Sequence, residues 1–404
     1  MSSKGNISTE YREGHSISVP CIGLCIVFFL VLGLLPSLPS RVTLVFRPFV
    51  IALCVLIPGA YMYRLSRSAV TLIVFHLYLT AVFLLHPITT STFMAWASMV
   101  LFAAFFIVAT LRTWTTKEIR FVLQVVFFAC FVYSLFLLRE NGHLFQGDSN
   151  EDITFFGTYV NGNAAAFGIV PGALVGTFFL LFSKPRGNKG GAKFWVWHIL
   201  ATGLMFVMLV GLGGRSAFFS ALIGSVLIIW EWGEAIKGNN QRIIFRIFLI
   251  LLLLVIYHYG PIWTEGTHAY RLFDYDNLMD MNGRDDMAEQ AMVLIREHPF
   301  FGGGLDYWSV RTNNSLMVHN SFLADGVWGG FTAIVLLGLF FLFAVLELFS
   351  TKSLVPIAFF VAAIFHTFTE PGMDYYSYIP LTLAFILHRY TLSHKCMPKR
   401  IVQS

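Results

Sequence analysis

The feature that most constrains this chain is a succession of apolar runs of about 20 residues, the length a helix needs to cross a bilayer. Twelve are read, with soft boundaries: 17–35, 44–61, 69–85, 93–111, 119–138, 163–182, 194–211, 216–232, 243–259, 327–349, 354–369 and 376–392. The first could pass for the apolar core of a signal peptide, but it follows a mixed-charge segment and runs long, so it is read as a helix. A soluble chain of 404 residues would split into two or three domains with about 25% charged residues. This one is 57% hydrophobic and 12% charged, too few charges to clothe a water-soluble surface. The expectation is an all-α polytopic membrane protein with about 12 transmembrane helices. Residues 1–404 form a single integral membrane domain, and one large helical loop spans 260–326.

Twelve spans put both termini on one side, and the basic residues choose which. With the termini in the cytoplasm, 19 of the 27 Lys and Arg fall inside, including every lysine. The outer side receives eight arginines: Arg41, Arg47, Arg139, Arg215, Arg271, Arg284, Arg296 and Arg311. Sixteen of the 22 acids also fall outside, so the net charge of +5 resolves into +13 inside and −8 outside. The cysteines sit in apolar runs or the basic tail, without disulfide or metal spacing, and read as small apolar filler.

The 260–326 loop is too long and too rich in Trp, Phe and Met to be a mere connection. Within it, residues 284–298 read as an amphipathic helix with Met287, Ala288, Ala291, Met292, Leu294 and Ile295 on one face. Asn282 or Gly283 would cap its start, Asp285 and Asp286 suit its first turn, and His298-Pro299 stops it. A flexible turn, Phe300-Phe301-Gly302-Gly303-Gly304, follows.

Three outer features could carry chemistry. Arg215 lies in Gly213-Gly214-Arg215-Ser216, at the membrane boundary. An arginine snorkelling into headgroups explains it as well as a functional one does. Arg284 lies in Asn282-Gly283-Arg284-Asp285-Asp286, where a helix N-terminus and a guanidinium make an anion site. Taken alone, an ion pair with Asp285 or Asp286 is the simpler reading. His319, in His319-Asn320-Ser321 before the tenth span, can accept a proton at neutral pH. Alone it would be a capping or packing histidine. Together, two permanent cations and one base suit transfer from a pyrophosphate-linked donor, with the arginines offsetting charge on the leaving group. No ATP exists outside the cell membrane, so a pre-activated lipid donor is the natural energy source. Asp274, Asp276, Asp280, Asp285 and Asp286 match no Ca²⁺ loop and read as a solvated face. His76, His198 and His366 read as packed within helices. No chain of ionisable groups crosses the spans, which counts against an ion-coupled transporter.

These residues resemble the O-antigen ligase and polymerase superfamily of bacterial membrane glycosyltransferases. The resemblance rests on Gly214-Arg215-Ser216, on Gly283-Arg284 opening a loop helix that ends in His298-Pro299-Phe300-Phe301-Gly302, and on His319-Asn320 followed by Gly326 and Gly330. Gly157-Thr158-Tyr159-Val160-Asn161-Gly162-Asn163 is similar to the family's Asn-rich entry to the sixth span. The resemblance implies a GT-C-like fold and an inverting, metal-independent glycosyltransferase of lipopolysaccharide assembly. It would sit in the bacterial inner membrane, with no cofactor and no metal. The donor would be an undecaprenyl-diphosphate-linked glycan and the acceptor a lipid A-core sugar, met on the periplasmic face among membrane lipid. No nucleic acid partner is expected. By carry-over, Arg215 and Arg284 hold the diphosphate, His319 activates the acceptor hydroxyl, and Asn161, Asn163 and Asn320 are substrate-binding candidates. In the family an acidic residue often follows the His-Asn pair by about a turn. Here Ala324 precedes Asp325, and no role is carried over to it. A polymerase using the same donor is the alternative, and a lipid or glycan transporter is the reading from another class.

Overall fold

The computed structural model describes residues 17–18, 21–26, 65–86, 89–142, 153–155, 158–159, 162–182, 191–234, 236, 238–265, 268–273, 284–313, 318–370, 373 and 375–394. Their helices are α1 (Arg67–Leu85), α2 (Thr90–Leu111), α3 (Thr116–Asn141), α4 (Gly162–Phe167), α5 (Val170–Phe182), α6 (Gly191–Gly211), α7 (Arg215–Glu234), α8 (Asn239–Thr264), α9 (Arg284–Glu297), α10 (Tyr307–Thr312), α11 (Ser321–Leu348), α12 (Val355–Thr369) and α13 (Tyr375–His394). The one exception to an all-α architecture among them is a two-residue antiparallel ladder. It pairs Thr154 with Tyr159 and Phe155 with Thr158. Asn141, at the end of α3, holds this ladder by bonding both the N–H and the carbonyl of Thr154.

Ten of the twelve expected runs are helical among the described residues. The runs 17–35 and 44–61 lie outside them, apart from 17–18 and the helical 21–26. Seven helical segments are long and apolar enough to cross a membrane, with α4 and α5 counting as one. That fits an all-α polytopic membrane protein. The boundaries of the large loop move inward at both ends: α8 continues to Thr264, and α11 begins at Ser321 rather than 327. The N-cap explains the second shift, because the Asn320 side chain accepts the Leu323 N–H (3.1 Å) and starts the helix early.

Packing has a clear centre and edge. The α4–α5 segment is 83% buried and lies among α3, α6, α7 and α12. The α8 helix is only 11% buried, so lipid is its natural solvent. α11 packs along α1, and α12 lies between α7 and α13. The three histidines expected to pack within helices, His76, His198 and His366, do so. His76 bonds the Tyr378 hydroxyl (2.6 Å), His366 bonds Ser377 (2.8 Å), and His198 bonds the Phe194 carbonyl and stacks on Phe127. Cys21, Cys25 and Cys130 are buried and unbridged.

The loop helix α9 forms as the pattern predicts, and it ends at Glu297. Its apolar face (Ala291, Leu294, Ile295) joins Trp308 of α10, Val318, and Ala324 and Val327 of α11 in a separate small core. Asp285 and Asp286 are exposed in its first turn, where the helix dipole favours them; residues 274–283, including the expected caps Asn282 and Gly283, lie outside the described residues. The turn after α9 is not the flexible one expected. It is pinned into a break in α11 at Gly330, whose φ of 69° and ψ of −167° interrupt the helix.

Candidate active site

Calling the end of the bundle that faces the 260–326 loop its outer end, three features bring candidate residues together there. The first is the register of α7 against α12. Glu231, near the inner end of α7, accepts the backbone N–H groups of Leu354 (2.6 Å) and Val355 (2.9 Å) and the Ser353 hydroxyl, so it caps α12. From that anchor the two helices run antiparallel. Arg215 lies sixteen residues away along α7 and Glu370 fifteen along the α12 segment, both about 23 Å at 1.5 Å per residue. Arg215 and Glu370 are therefore at one level.

The second is the glycine turn that opens α7. Gly213 takes a left-handed φ of 61°, and Gly214 is buried. A Cβ on Gly214 would come within 2.7 Å of the Ala166 Cβ and 3.3 Å of the Asn163 Oδ1. Glycine thus lets the Arg215 turn sit directly on α4, with Asn163 beside it. Phe167, one turn after Asn163, sets its ring edge against His366 at 4.6 Å between centroids, one turn before Glu370. Asn163 and Arg215 both interact with neighbouring groups.

The third is the join between α11 and α12. Ser321 donates to the Glu370 carbonyl (2.9 Å), and the Asn320 side-chain N–H₂ donates to the Phe368 carbonyl (3.4 Å). These bonds hold His319 against the end of α12, where its Nδ1 lies 3.5 Å from Glu370 Oε2. The contact has ion-pair distance but not hydrogen-bond alignment, and Glu370 Oε1 has no hydrogen-bond partner among the described residues. His319 is 22% exposed, so the imidazole can be reached from outside while its carboxylate partner, at 10%, is shielded.

The arrangement can orient a base. With Nδ1 facing the carboxylate, Nε2 is the ring nitrogen left to take a proton, and the carboxylate stabilises the imidazolium that forms. Nothing local in the sequence marks Glu370. Its partner is 51 positions earlier, and the only cue is an acid ending an apolar run before Pro371. Asp325, given no role from the sequence, is buried on α11 with neither carboxylate oxygen hydrogen-bonded among the described residues.

The structure thus gathers Arg215, Asn163, His319 and Asn320 at one end. Asn320 acts first as a helix cap, which occupies its Oδ1. Arg284 is the first residue of α9, which packs on the start of α11, but its side chain lies outside the described residues, as does Asn161. Arg311 is committed elsewhere: it bonds both Glu297 oxygens (2.8 and 2.9 Å). The Tyr307 hydroxyl and then Arg311 hold the Glu297 carboxyl below its usual range.

No curated protein matches the chain. Over residues 200–338, a stretch that carries Arg215, Arg284, His319 and Asn320 but not Asn163 or Glu370, the chain matches the family model described as O-antigen ligase, and this supports membership of the O-antigen ligase superfamily.

Proposed function

We propose that the protein is an O-antigen ligase: an inverting, metal-independent glycosyltransferase that moves O-antigen glycan from undecaprenyl diphosphate to a lipid A-core sugar. It works on the periplasmic face of the bacterial inner membrane, with both termini in the cytoplasm. The observation that carries the reading is the His319–Glu370 contact on the level of Arg215, within a chain matching the ligase family over 200–338.

In this reading His319 Nε2 accepts the proton of the acceptor hydroxyl as that oxygen attacks the anomeric carbon. The new glycosidic bond forms as the bond to the diphosphate oxygen breaks, and the lipid diphosphate leaves with the electron pair. Arg215 and Arg284 take up the charge that grows on it. Glu370 does not touch substrate; it positions the imidazole and offsets its charge. Asn163, beside the Arg215 turn, holds sugar or phosphate oxygens together with Asn161, while Asn320 fixes the backbone that carries His319.

Deleting the gene tests the acceptor. Lipid A-core should be left bare, while long polymer accumulates on its lipid carrier. Core capped with a single repeat unit would instead make the protein a polymerase.

A further inference from the structure

The turn from Pro299 to Gly304 rests on two spanning helices, well inside their outer ends. Phe331 N donates to the Pro299 carbonyl (2.7 Å), Gly303 N to Val327 O (2.9 Å) and Gly304 N to Trp328 O (3.1 Å). The Tyr78 hydroxyl of α1 shares its proton between the Phe300 carbonyl and Gly329 O, the latter at 2.7 Å. The break at Gly330 frees these α11 groups from helix bonding. A Cβ on Gly304 would strike the ring of His86, the residue that caps α1. The turn therefore descends along α1, from its outer cap at His86 to Tyr78.

Its depth follows from helix geometry. Tyr78 is seven residues before the end of α1, about 10 Å, and Phe331 is four residues past the start of the apolar run at 327 in α11, about 6 Å. Against a hydrocarbon core about 30 Å thick, those depths lie among acyl chains rather than headgroups. Non-helical backbone is tolerated there only where protein satisfies its polar groups, which is what these bonds do; Pro299 brings no N–H at all. Yet the rings at the tip are not covered by protein. Phe300 is 70% exposed and Phe301 62%, beside the exposed Leu77 of α1 and Phe331 and Val335 of α11.

We infer that Pro299–Gly304 is a re-entrant turn that enters the leaflet on the loop's side, with Phe300 and Phe301 in contact with phospholipid hydrocarbon. The loop is then fastened to the membrane from within. That fixes the helix beginning at Arg284 close to the headgroup plane, where a lipid-linked diphosphate lies. This last use rests on the proposed function; the lipid contact rests only on the spanning helices.

The test uses the full chain with its five cysteines replaced, reconstituted in phosphatidylethanolamine–phosphatidylglycerol vesicles and treated with a charged, membrane-impermeant maleimide. Phe301→Cys should lose labelling, as should Leu254→Cys on the lipid-exposed face of α8, while Gln290→Cys on the exposed face of α9 is labelled. A nitroxide at position 301 should collide with dissolved oxygen more than with a nickel chelate. Labelling of Phe301→Cys with Leu254→Cys still protected would overturn the inference and leave the spanning helices standing. Labelling of both would overturn it together with the span assigned to α8. In the native-cysteine chain, p-benzoylphenylalanine replacing Phe301 should crosslink to phospholipid; crosslinks only to a second copy or only within the chain would refute the contact. None of these readouts depends on transfer activity, so they fail separately from the ligase reading.

Discussion

Glu370→Gln is the sharpest perturbation of the site. Glutamine keeps the shape of the side chain and leaves the backbone bonds to His366 and Ser321 untouched, since both use main-chain atoms of residue 370. What it removes is the negative charge facing His319. When the imidazole takes a proton, a positive charge forms 3.5 Å from Glu370 Oε2. Coulomb's law gives that pair about 1.2 kcal/mol at the dielectric constant of water and about 4.7 kcal/mol at an effective value near 20. With the histidine 22% exposed and the glutamate 10%, screening lies between those limits, so about 1.5–3 kcal/mol of transition-state stabilisation is lost. That corresponds to a fall in kcat of about 10- to 160-fold. The assay is transfer from lipid-linked glycan to lipid A-core by purified protein at varied donor concentration. The fall should appear in kcat with KM for the donor unchanged, because the charge is met only as the reaction proceeds. Full kcat in Glu370→Gln, or a loss explained by lower Tm or membrane content, would refute the positioning role.

Other expectations concern the proposed chemistry and the packing. Arg215→Ala, Arg284→Ala and His319→Ala should each abolish transfer in that assay while membrane content, read on an immunoblot, stays at the wild-type level. Chelator should leave activity intact; complete loss restored by Mg²⁺ would return the acidic stretch around Asp280 to consideration as a metal site. Gly330→Ala should lower Tm in detergent, because φ of 69° is strained for any side chain and the new Cβ would lie 2.7 Å from the Phe300 carbonyl carbon; the strain alone is about 1–3 kcal/mol. Arg112→Ala should destabilise by up to about 3 kcal/mol, read as lower Tm, since it removes the counter-charge of the buried Glu118 (2.8 Å) and leaves that carboxylate only its bonds from Ser18 and Thr115.

What could be read from the sequence follows the range over which its signals act. Apolar runs are set by bilayer thickness, so they mark spans without knowledge of any neighbour, and ten of them are helices among the described residues. The loop helix was equally legible, because the spacing of Ala291, Leu294 and Ile295 is a local signature of one buried face. The break in α11 was not, because Gly329-Gly330 inside an apolar run reads as continuous helix. Only the backbone of Pro299 and Phe300, arriving from the loop, makes a broken helix the better-bonded state. The same logic applies to the site. Arg215 and His319 stand out as charge and base beside glycines and a helix start, whereas Glu370 gains meaning from a contact that exists only once α12 returns to the outer end.

In the proposed function, one constellation around His319 transfers glycan from a lipid diphosphate to lipid A-core. Purified protein in detergent, given undecaprenyl-diphosphate-linked O-antigen and lipid A-core, tests it directly, since a single micellar phase offers nothing to transport across. Wild-type protein should yield glycan-bearing lipid A-core, and His319→Ala none. Lengthening of the lipid-linked glycan with lipid A-core untouched, or equal product from His319→Ala, would contradict it.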